Sequence, residues 1–486
     1  MDVPHENTPR PGAEEVLRGP GAEEVLRGPG AGGAMGGLSA KEALRATGVT
    51  IREAGSGDAV AGVMPRWVAL PESTEEVAAL MRVSAGHDLA VVPVGGGTRL
   101  HWGNPPERCD LLVDTCCLNE ILEHASGDLV VRVQAGVTTE SLAETLAARG
   151  QELALDVPLG GATVGGVLAT AVAGPRRLRY GTARDLLIGV TVVLADGTVA
   201  RSGGKVVKNV AGYDLGKLFT GSYGTLGIIT EAVFRLHPIA PARRWITAEL
   251  PAPRTAATGS EGSGSPMGPG TVEGSGFPVS PGAVGVALAA SQAEPSAVEL
   301  DWLAPSGVLT VSALVEGAAT EGRAAAVRDL LGGMTGRPGT TGESGEWPVG
   351  SYGVAEGDKA PDWWGVLPGE EVLLELRVPP SGVDGALRAV ARRGLPARVR
   401  GSLASAVLRI ALPPETGGAE LAGFVSAVRE ESGPLGGRLT VLAAPHEPAP
   451  QVDRWGPVGT LPLMRRVKER FDPDRRMSPG RLAGGI

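Results

Sequence analysis

The chain has 486 residues, including 74 glycines and 39 prolines, and a formal net charge of −9 at neutral pH. This length allows two or three domains with substantial cores, and because aromatic residues make up only 3%, Val, Leu and Ala must fill most of them. The acidic balance argues against a nucleic-acid-binding protein, which needs a basic face for phosphates.

The cysteines and the N-terminal sequence indicate the cellular compartment in which the protein is expected. Cys109, Cys116 and Cys117 form neither a CxxC pair nor a disulfide ladder, so we interpret them as buried thiols in a reducing compartment. We expect no iron–sulfur centre and no metal site on this chain. The N-terminus lacks the basic-then-apolar order of a signal peptide, which predicts a cytoplasmic protein without a membrane span. A peripheral position on the inner face of the membrane would come through partners.

The N-terminal residues 1–37 contain a tandem duplication, GAEEVLRGP at 12–20 and again at 21–29, followed by a glycine-rich run. Two copies of so short a unit are too few for a solenoid, so we predict a disordered tail.

Residues 38–241 alternate helix and strand signals, which predicts a mixed domain of the α+β or α/β class. Ser73 and Glu76 stand at capping-box spacing before a helix that ends at Gly86, and TTESLAETLAARG is a second capped helix. Asp196-Gly197 predicts a hairpin with a type I′ turn. The other predicted elements are strands at Leu89–Val94, Leu111–Asp114, Leu129–Gly136 and Gly227–Leu236, and a short helix around Tyr213–Phe219.

The second half of the chain predicts a further domain. Residues 242–282 are assigned to a linker because Pro251–Gly282 consists largely of Gly, Ser, Pro and Thr. Residues 283–455 are predicted to form an α/β cap with a disordered insert near 332–351. Its predicted strands are VGVALAASQ, GVLTVSALVEG, EVLLELRVPP, LASAVLRIAL and RLTVLAAP. Residues 456–486 form a C-terminal segment whose helix begins near Leu461 and is broken at Asp472-Pro473.

The stretch from Asp156 to Arg179 is the most informative part of the sequence. Its glycines, a short helix starting near Gly165 and the hydroxyls of Thr163 and Thr170 are typical of an anion cradle suited to a diphosphate. A transmembrane helix is the alternative, because the length nearly suffices and a GxxxG is present, but proline, glycines and arginines argue against it. The following Arg176, Arg177 and Arg179 could bind phosphate or a substrate carboxylate, or form a solvated face.

A second glycine turn, Gly95–Gly97, follows a predicted buried strand. It does not match the dinucleotide fingerprint, because Leu100 stands where the third glycine belongs. The segment around Gly204-Lys205 does not match a P-loop either, because Val206 replaces the required Ser or Thr. NAD and ATP are therefore not expected.

Four segments together resemble a known family. PVGGGT, GATVGG, AGPRRLRYGTARDLL and KNVAGYDLGKLFTGSYGTLGIIT are similar to the FAD-binding domain of the vanillyl-alcohol oxidase/p-cresol methylhydroxylase (PCMH) family. Within it, the FAD-binding subunits of bacterial glycolate oxidases are most similar, over about Met64–Pro238 and again over Trp455–Ile486. The resemblance implies an α+β protein with a two-subdomain PCMH-type FAD-binding domain, the cap, and a C-terminal helix that returns to the FAD-binding domain.

The resemblance also implies which residues hold FAD. The backbone of the first glycine turn would wrap the diphosphate, with a second glycine segment on its other side, and further residues would lie along the flavin and the ribityl chain or offer backbone groups to adenine. These residues are Val94, Gly95, Gly96, Gly97, Thr98, Pro158, Gly161, Ala162, Thr163, Gly165, Thr170, Gly174, Tyr180, Gly181, Ile228 and Ile229. Because Gly97 and Thr98 occupy the turn and His101 reads as a surface residue, we expect noncovalent FAD.

The implied activity is oxidation of glycolate or another small 2-hydroxy acid, with electrons passed to an iron–sulfur subunit and a catalytic flavoprotein paralogue as a second partner. Two departures weigh on it: the C-terminal half has a single histidine, His446, and Tyr223 replaces the Glu of the family's GSEGTLG. No catalytic residue is assigned; Lys208, Tyr213 and Asp214 stay open between contact and structural roles. A stand-alone flavin oxidoreductase and a non-catalytic assembly subunit are the alternatives.

Overall fold

The computed structural model describes residues 38–204, 215–251, 278–335, 353–445 and 452–486. The predicted N-terminal tail and most of the linker and insert lie outside these ranges, as do Lys208, Tyr213, Asp214 and His446. Within the described residues, no helix combines the length and the apolar character that crossing a membrane requires.

The strands are numbered in chain order. They are β1 Thr50–Glu53, β2 Trp67–Leu70, β3 Val91–Val94, β4 Leu111–Asp114, β5 Ile121–Ala125, β6 Val130–Gln134, β7 Gln151–Glu152, β8 Leu187–Val193, β9 Val199–Gly203, β10 Ile228–Arg235, β11 His237–Pro238, β12 Arg243–Leu250, β13 Ala297–Ala304, β14 Leu309–Glu316, β15 Val354–Gly357, β16 Leu373–Arg377, β17 Ala397–Ser402, β18 Val407–Ala411 and β19 Arg438–Ala443.

The helices are numbered in the same way, leaving out short 3₁₀ turns. They are α1 Ala40–Ala46, α2 Thr74–Gly86, α3 Thr139–Ala147, α4 Val164–Thr170, α5 Arg177–Tyr180, α6 Ala183–Leu186, α7 Gly216–Phe219, α8 Pro281–Ala289, α9 Thr320–Thr335, α10 Val383–Ala391, α11 Gly418–Ser432 and α12 Leu461–Phe471.

Two main sheets build the first half of the chain, and β7 and β11 form a small third one. The first has the order β1-β2-β4-β3, in which β4 pairs in parallel with β2 and with β3. The second is antiparallel with the order β5-β6-β10-β8-β9. Helix α2 begins where the Ser73 hydroxyl accepts a hydrogen bond from the Glu76 amide, as the sequence predicts. The two separate sheets confirm the expected two-subdomain arrangement.

The cap is one eight-stranded sheet with the order β15-β12-β14-β13-β17-β18-β16-β19. Apolar side chains on one face pack with α8–α11 into a single core. Because side chains alternate along a strand, Val298, Leu300 and Trp302 of β13 enter this core, whereas Glu299 and Asp301 point to the opposite face. That polar face is turned toward residues 38–241, the predicted FAD-binding half, because Glu299 shares a cleft with Pro158 and Arg177.

An ion-pair cluster connects the cap to the first half of the chain; we call it the ion-pair junction. Arg176 Nε donates to Asp156 Oδ1 at 2.8 Å, and its Nη1 donates to Glu152 at 2.9 Å. Arg243 Nε, on β12, donates to Glu316 at 3.1 Å, and its Nη2 reaches Glu152 at 3.2 Å. Two arginines and three carboxylates thus pair across the domain boundary.

The C-terminal segment returns to the FAD-binding half, as expected. Ser478 N donates to the Val91 carbonyl at 2.8 Å, so the tail runs beside β3. The Lys468 Nζ of α12 is buried and donates to the carbonyls of Thr225 and Met477, both at 2.8 Å, and to Asp472 at 2.7 Å. The Lys468 side chain therefore points inward, unlike that of exposed Arg466 on the same helix.

Several local predictions are wrong. VGVALAASQ is mostly helix α8, because the Ser280 hydroxyl caps it, Pro281 opens it, and apolar residues on all sides hide the helical period. The turn at Asp196-Gly197 is not type I′, since only Gly197 has a positive φ. The cap sheet is antiparallel, so the cap is not α/β in the strict sense. The predicted linker, residues 242–282, begins with strand β12. This strand was not predicted from the sequence because the residues after it are rich in Gly, Ser and Pro.

Candidate functional site

A cavity opens where β3, α4 and the start of β10 meet; we call it the glycine-turn cavity. It encloses about 800 Å³ of empty space, a volume that includes its open mouth. Its lining residues are Val92, Pro93, Val94, Gly95, Gly96, Gly97, Thr98, Arg99, Leu100, Thr115, Thr163, Gly165, Gly166, Ala169, Thr170, Ser222, Tyr223, Gly224, Gly227, Ile228, Ile229 and Arg481.

The glycines of the turn are required by close packing of two chain segments. A Cβ at Gly95 would overlap the Thr163 hydroxyl, and a Cβ at Gly96 would overlap the carbonyl oxygen of Gly161. Gly97 has a φ of +69°, a conformation that side chains disfavour. The two glycine segments picked out in the sequence are therefore packed against each other, as an anion cradle needs.

The donors of the cavity come from the turn and not from helix α4. No backbone hydrogen bond among the described residues uses the N–H of Gly95, Gly96, Gly97 or Thr98. In α4, by contrast, Val164 N donates to the Val137 carbonyl and Gly165 N to the Ala135 carbonyl. The first amides of α4 are therefore hydrogen-bonded inside the protein, and the unspent backbone donors are those of the turn.

The other predicted site residues divide by position. Thr163, Gly165, Thr170, Ile228 and Ile229 line the cavity. The hydroxyls of the two threonines are engaged locally: Thr163 Oγ1 accepts from Gly166 N at 3.3 Å, and Thr170 Oγ1 donates to the Gly166 carbonyl at 2.7 Å. Both threonines therefore shape the wall more than they offer free donors.

Gly161 and Ala162 support the turn from behind, and Pro158 and Gly174 border a second cleft. Tyr180 and Gly181 lie away from the glycine-turn cavity. The Tyr180 ring packs edge-on against His237, with centroids 4.7 Å apart, and Gly181 approaches Asp185. The structure therefore does not bring these two residues into the wall of the glycine-turn cavity, and the Tyr180 ring faces β11 instead.

Two arginines that sequence analysis did not assign to the site line the cavity. Arg99 is 6% exposed and Arg481 is 4% exposed, and no Asp or Glu is present among the described lining residues. Arg481 donates to the carbonyls of Leu100, at 3.0 Å, and Trp102, at 2.7 Å. Burial lowers the pKa of both guanidinium groups to about 10. The cavity is therefore cationic in a protein that is acidic overall.

The second cleft lies under the polar face of the cap sheet; we call it the cap cleft. Its lining combines Pro158, Gly174, Pro175 and Arg177 from the FAD-binding half with Glu299, Trp363, Gly365, Val366, Pro368, Arg400, Gly401, Ser402, Val407 and Arg409 from the cap. The Ala173 carbonyl accepts a hydrogen bond from Arg177 and another, at 3.1 Å, from Arg409 Nη2. Arg409 Nε is 3.7 Å from Glu375.

Glu299 is the unusual acid of the cap cleft. It is 8% exposed, and its Oε1 has no hydrogen-bond partner among the described residues. Burial raises the pKa of this carboxyl to about 7, although the cations of Arg177 and Arg409 oppose the shift. A carboxyl with such a pKa can accept or release a proton near neutral pH.

The three arginines after the central stretch have three different environments. Arg176 belongs to the ion-pair junction, Arg177 lines the cap cleft, and the Arg179 side chain is 40% exposed. Of the alternatives left open by the sequence, ligand binding is therefore compatible with Arg177, and a solvated position with Arg179.

The FAD-binding resemblance is confirmed by comparison with known proteins. Residues 65–203 match the family described as FAD binding domain. A glycolate oxidase subunit, GlcD, of Bacillus subtilis is 40% identical over 176 residues, which are 36% of this chain and 37% of that protein. D-2-hydroxyglutarate dehydrogenase of Bos taurus is 40% identical over 173 residues, 35% of this chain and 32% of that protein.

D-lactate dehydrogenase (cytochrome) 1 of Saccharomyces cerevisiae is 38% identical over 176 residues, 36% of this chain and 30% of that protein. The chain thus spans 30% to 37% of the lengths of these three relatives.

Solved structures confirm the fold beyond the matched domain. Alkyldihydroxyacetonephosphate synthase superposes with a TM-score of 0.57 at 18% identity, covering 86% of this chain and 77% of that one. Chitooligosaccharide oxidase superposes with a TM-score of 0.59 at 15% identity, covering 90% and 97%. Both coverages include the cap as well as the FAD-binding half.

The residues of the glycine-turn cavity fit FAD. The unspent amides of the turn and the two buried cations suit a diphosphate, and Val92, Ala169 and Ile228 provide apolar surface for rings. No His or Cys is present among the described lining residues.

Proposed function

We propose that this chain, which carries an FAD-binding domain at residues 65–203, is the FAD-binding subunit of a glycolate (2-hydroxy acid) oxidase complex. The observation that carries the proposal is the adjacency of the glycine-turn cavity to an arginine-lined cleft beneath the cap. Thr170 lines the cavity, and three residues further along the chain the Ala173 carbonyl accepts a hydrogen bond from Arg409 of the cleft at 3.1 Å. The printed names of three relatives, which concern glycolate, D-lactate and D-2-hydroxyglutarate, support a 2-hydroxy acid substrate.

In this proposal FAD, when bound, supplies the acceptor for the hydride that leaves the substrate carbon. The amides of Gly95–Thr98 hold its diphosphate, Ile228 and Ile229 offer backbone groups to adenine, and Pro158 with Gly174 borders the flavin ring where the two clefts approach each other. Binding is noncovalent, because the described cavity wall carries no nucleophilic His or Cys side chain.

The cap cleft binds the hydroxy acid. Arg177 and Arg409 converge on the Ala173 carbonyl from opposite domains, so a substrate carboxylate can pair with both cations while its hydroxyl turns toward Glu299. The unpartnered Oε1 of Glu299 accepts the hydroxyl proton as the hydride leaves, which yields the 2-oxo acid. Arg400 is already engaged by Asp301 at 2.6 Å and by the Leu367 carbonyl at 3.1 Å, so it is assigned a structural role.

The electrons pass to an iron–sulfur subunit, and a catalytic flavoprotein paralogue completes the proposed cytoplasmic complex. The cysteine pattern supports an acceptor on another chain, since Cys109 is buried and Cys116 and Cys117 are adjacent in sequence. Flavin bleaching with and without the partner subunits distinguishes direct hydride transfer to this FAD from relay of electrons from the paralogue.

The visible spectrum of the purified chain tests the cofactor, and acid precipitation tests its attachment. We expect a flavin spectrum and FAD in the supernatant. Glycolate or D-lactate is then added without oxygen, with and without the partner subunits, and bleaching of the flavin is followed. Bleaching by the chain alone supports direct hydride transfer, and bleaching only with partners supports relay. A colourless chain that takes up no FAD contradicts the proposal.

Substitutions in the cap cleft test the substrate assignment. If the hydroxy acid bleaches the flavin of this chain without partners, Glu299→Gln should slow the bleaching by about 100-fold or more, as expected for loss of a general base. Arg409→Gln should weaken binding of the hydroxy acid. Arg466→Gln, on the exposed face of α12, is the matched control and should leave both unchanged. Full bleaching rates in Glu299→Gln would show that another group takes the proton.

A further inference from the structure

The Arg99 guanidinium is buried in the glycine-turn cavity with unspent donors. Its Nε and Nη2 atoms have no hydrogen-bond partner among the described residues, although the side chain is almost fully covered. Its close neighbour is the Trp102 ring, whose centroid is 5.3 Å from the guanidinium carbon. A ring face stabilises a cation only weakly compared with a carboxylate or phosphate, so most of the bonding capacity of Arg99 is unused.

The charges that face Arg99 do not compensate it. Arg481 holds the loop that carries Arg99 through the Leu100 and Trp102 carbonyls, and it adds a second buried cation. Arg409 lies on the cap side and lowers the pKa of Arg99 by repulsion, whereas the phenol of Tyr223 acts weakly in the other direction. A buried cation without a counter-charge is costly, so a ligand must supply the negative charge for this arrangement to be favourable.

We propose that Arg99 binds the diphosphate of FAD through its guanidinium, beside the backbone amides of Gly95–Thr98. The identity of the cofactor rests on the proposed function. The diphosphate is favoured over a substrate carboxylate because Arg99 lines the glycine-turn cavity, directly after the turn, whereas Arg177 and Arg409 line the cap cleft. The planar fork of arginine suits two phosphate oxygens at once.

This role predicts that removing the Arg99 charge raises the melting temperature of the apoprotein and lowers its affinity for FAD. Arg99→Met removes an uncompensated buried charge while keeping contact with Trp102, so the apoprotein should melt about 2 °C or more higher than the wild type. The same change should weaken FAD binding about 10- to 100-fold, because a charge-assisted hydrogen bond to the diphosphate is lost. If Arg99 only filled space, its replacement would lower both the melting temperature of the apoprotein and the affinity for FAD.

The experiment measures FAD and riboflavin binding by flavin fluorescence, and thermal unfolding of the apoprotein. Riboflavin lacks the diphosphate, so its affinity should be the same in the wild type and in Arg99→Met. Arg99→Lys keeps the charge without the fork; it should bind FAD a few-fold more weakly and riboflavin normally, and it carries the test if the Met variant does not fold. Arg466→Met is the exposed control and should change none of these values.

The outcomes separate this inference from the proposed function. A wild-type chain that binds no FAD contradicts the proposed function. A wild-type chain that binds FAD, with equal FAD affinity in the Met or Lys variant, overturns the role of Arg99. Equal losses for FAD and riboflavin would also overturn it, because Arg99 would then act on the ring and not on the diphosphate.

Discussion

The ion-pair junction and the glycine-turn cavity both bury arginines, but only the junction provides carboxylates for them. Arg176 has an 8% exposed side chain and contacts three acidic residues, while Arg99 is 6% exposed and contacts none among the described residues. The junction is electrostatically complete within the chain. The cavity becomes complete when an anion binds, which is the difference between a structural and a ligand-binding arginine.

The pKa shifts show the same difference. Burial disfavours the charged form of Arg176, but the hydrogen bond to Asp156 and the nearby carboxylates outweigh it and raise the pKa. For Arg99, burial and the Arg409 cation act in the same direction and lower the pKa to about 10. Equal burial therefore has opposite consequences, according to the partners that the fold supplies.

The largest effect is expected at the junction. Arg176→Met would leave Asp156 without its ion-pair partner and Glu316, whose side chain is 1% exposed, with Arg243 alone, so the free energy of unfolding should fall by about 3–5 kcal/mol. Denaturant unfolding measures this loss. Arg179→Met, three residues away and 40% exposed at the side chain, should change stability by less than about 0.5 kcal/mol. Similar small losses in both variants would mean that the junction contributes little.

A smaller effect is expected where the cavity depends on close packing. Gly96→Ala forces the turn away from the Gly161 carbonyl, which should lower the free energy of unfolding by about 1–3 kcal/mol and abolish measurable FAD binding. Gly57→Ala is the control, because a Cβ there meets no atom within 4 Å. Retained FAD affinity in Gly96→Ala would show that the turn does not hold the cofactor.

The smallest expected effect is the change in the free energy of unfolding with pH that Glu299 causes. Its folded pKa, about 7, lies above the ordinary value of 4.5, so between these values the folded state holds a proton that the unfolded state has lost. Stability therefore falls as pH rises through this window, by at most about 1.4 kcal/mol per pH unit. Glu299→Gln should lack this decline, while exposed Glu430→Gln should follow the wild type. Parallel curves for wild type and Glu299→Gln would contradict it.

Local sequence signals were sufficient for most of the FAD-binding half. The Ser73 cap, the strand at Leu111–Asp114 and the glycine turn are where the sequence predicts them, because each depends on residues close together in the chain. The prediction for α8 is wrong because a helix that is apolar on all sides has no period to detect. The hydrogen bonds of the first α4 amides could not be predicted, because their acceptors, the carbonyls of Val137 and Ala135, follow β6 and are distant from α4 in the chain.

The sequence by itself determined the type of cofactor site, because four glycine-containing segments together resemble the FAD-binding domain of a known family. Only the tertiary structure decided which charged groups meet. Arg481 reaches the Leu100 carbonyl across 381 residues, Arg176 lies near Glu316 of the cap, and Arg99 has no carboxylate partner within the described part of the chain. Turn geometry is set by neighbouring residues, whereas charge pairing depends on how distant segments pack, which no local pattern records.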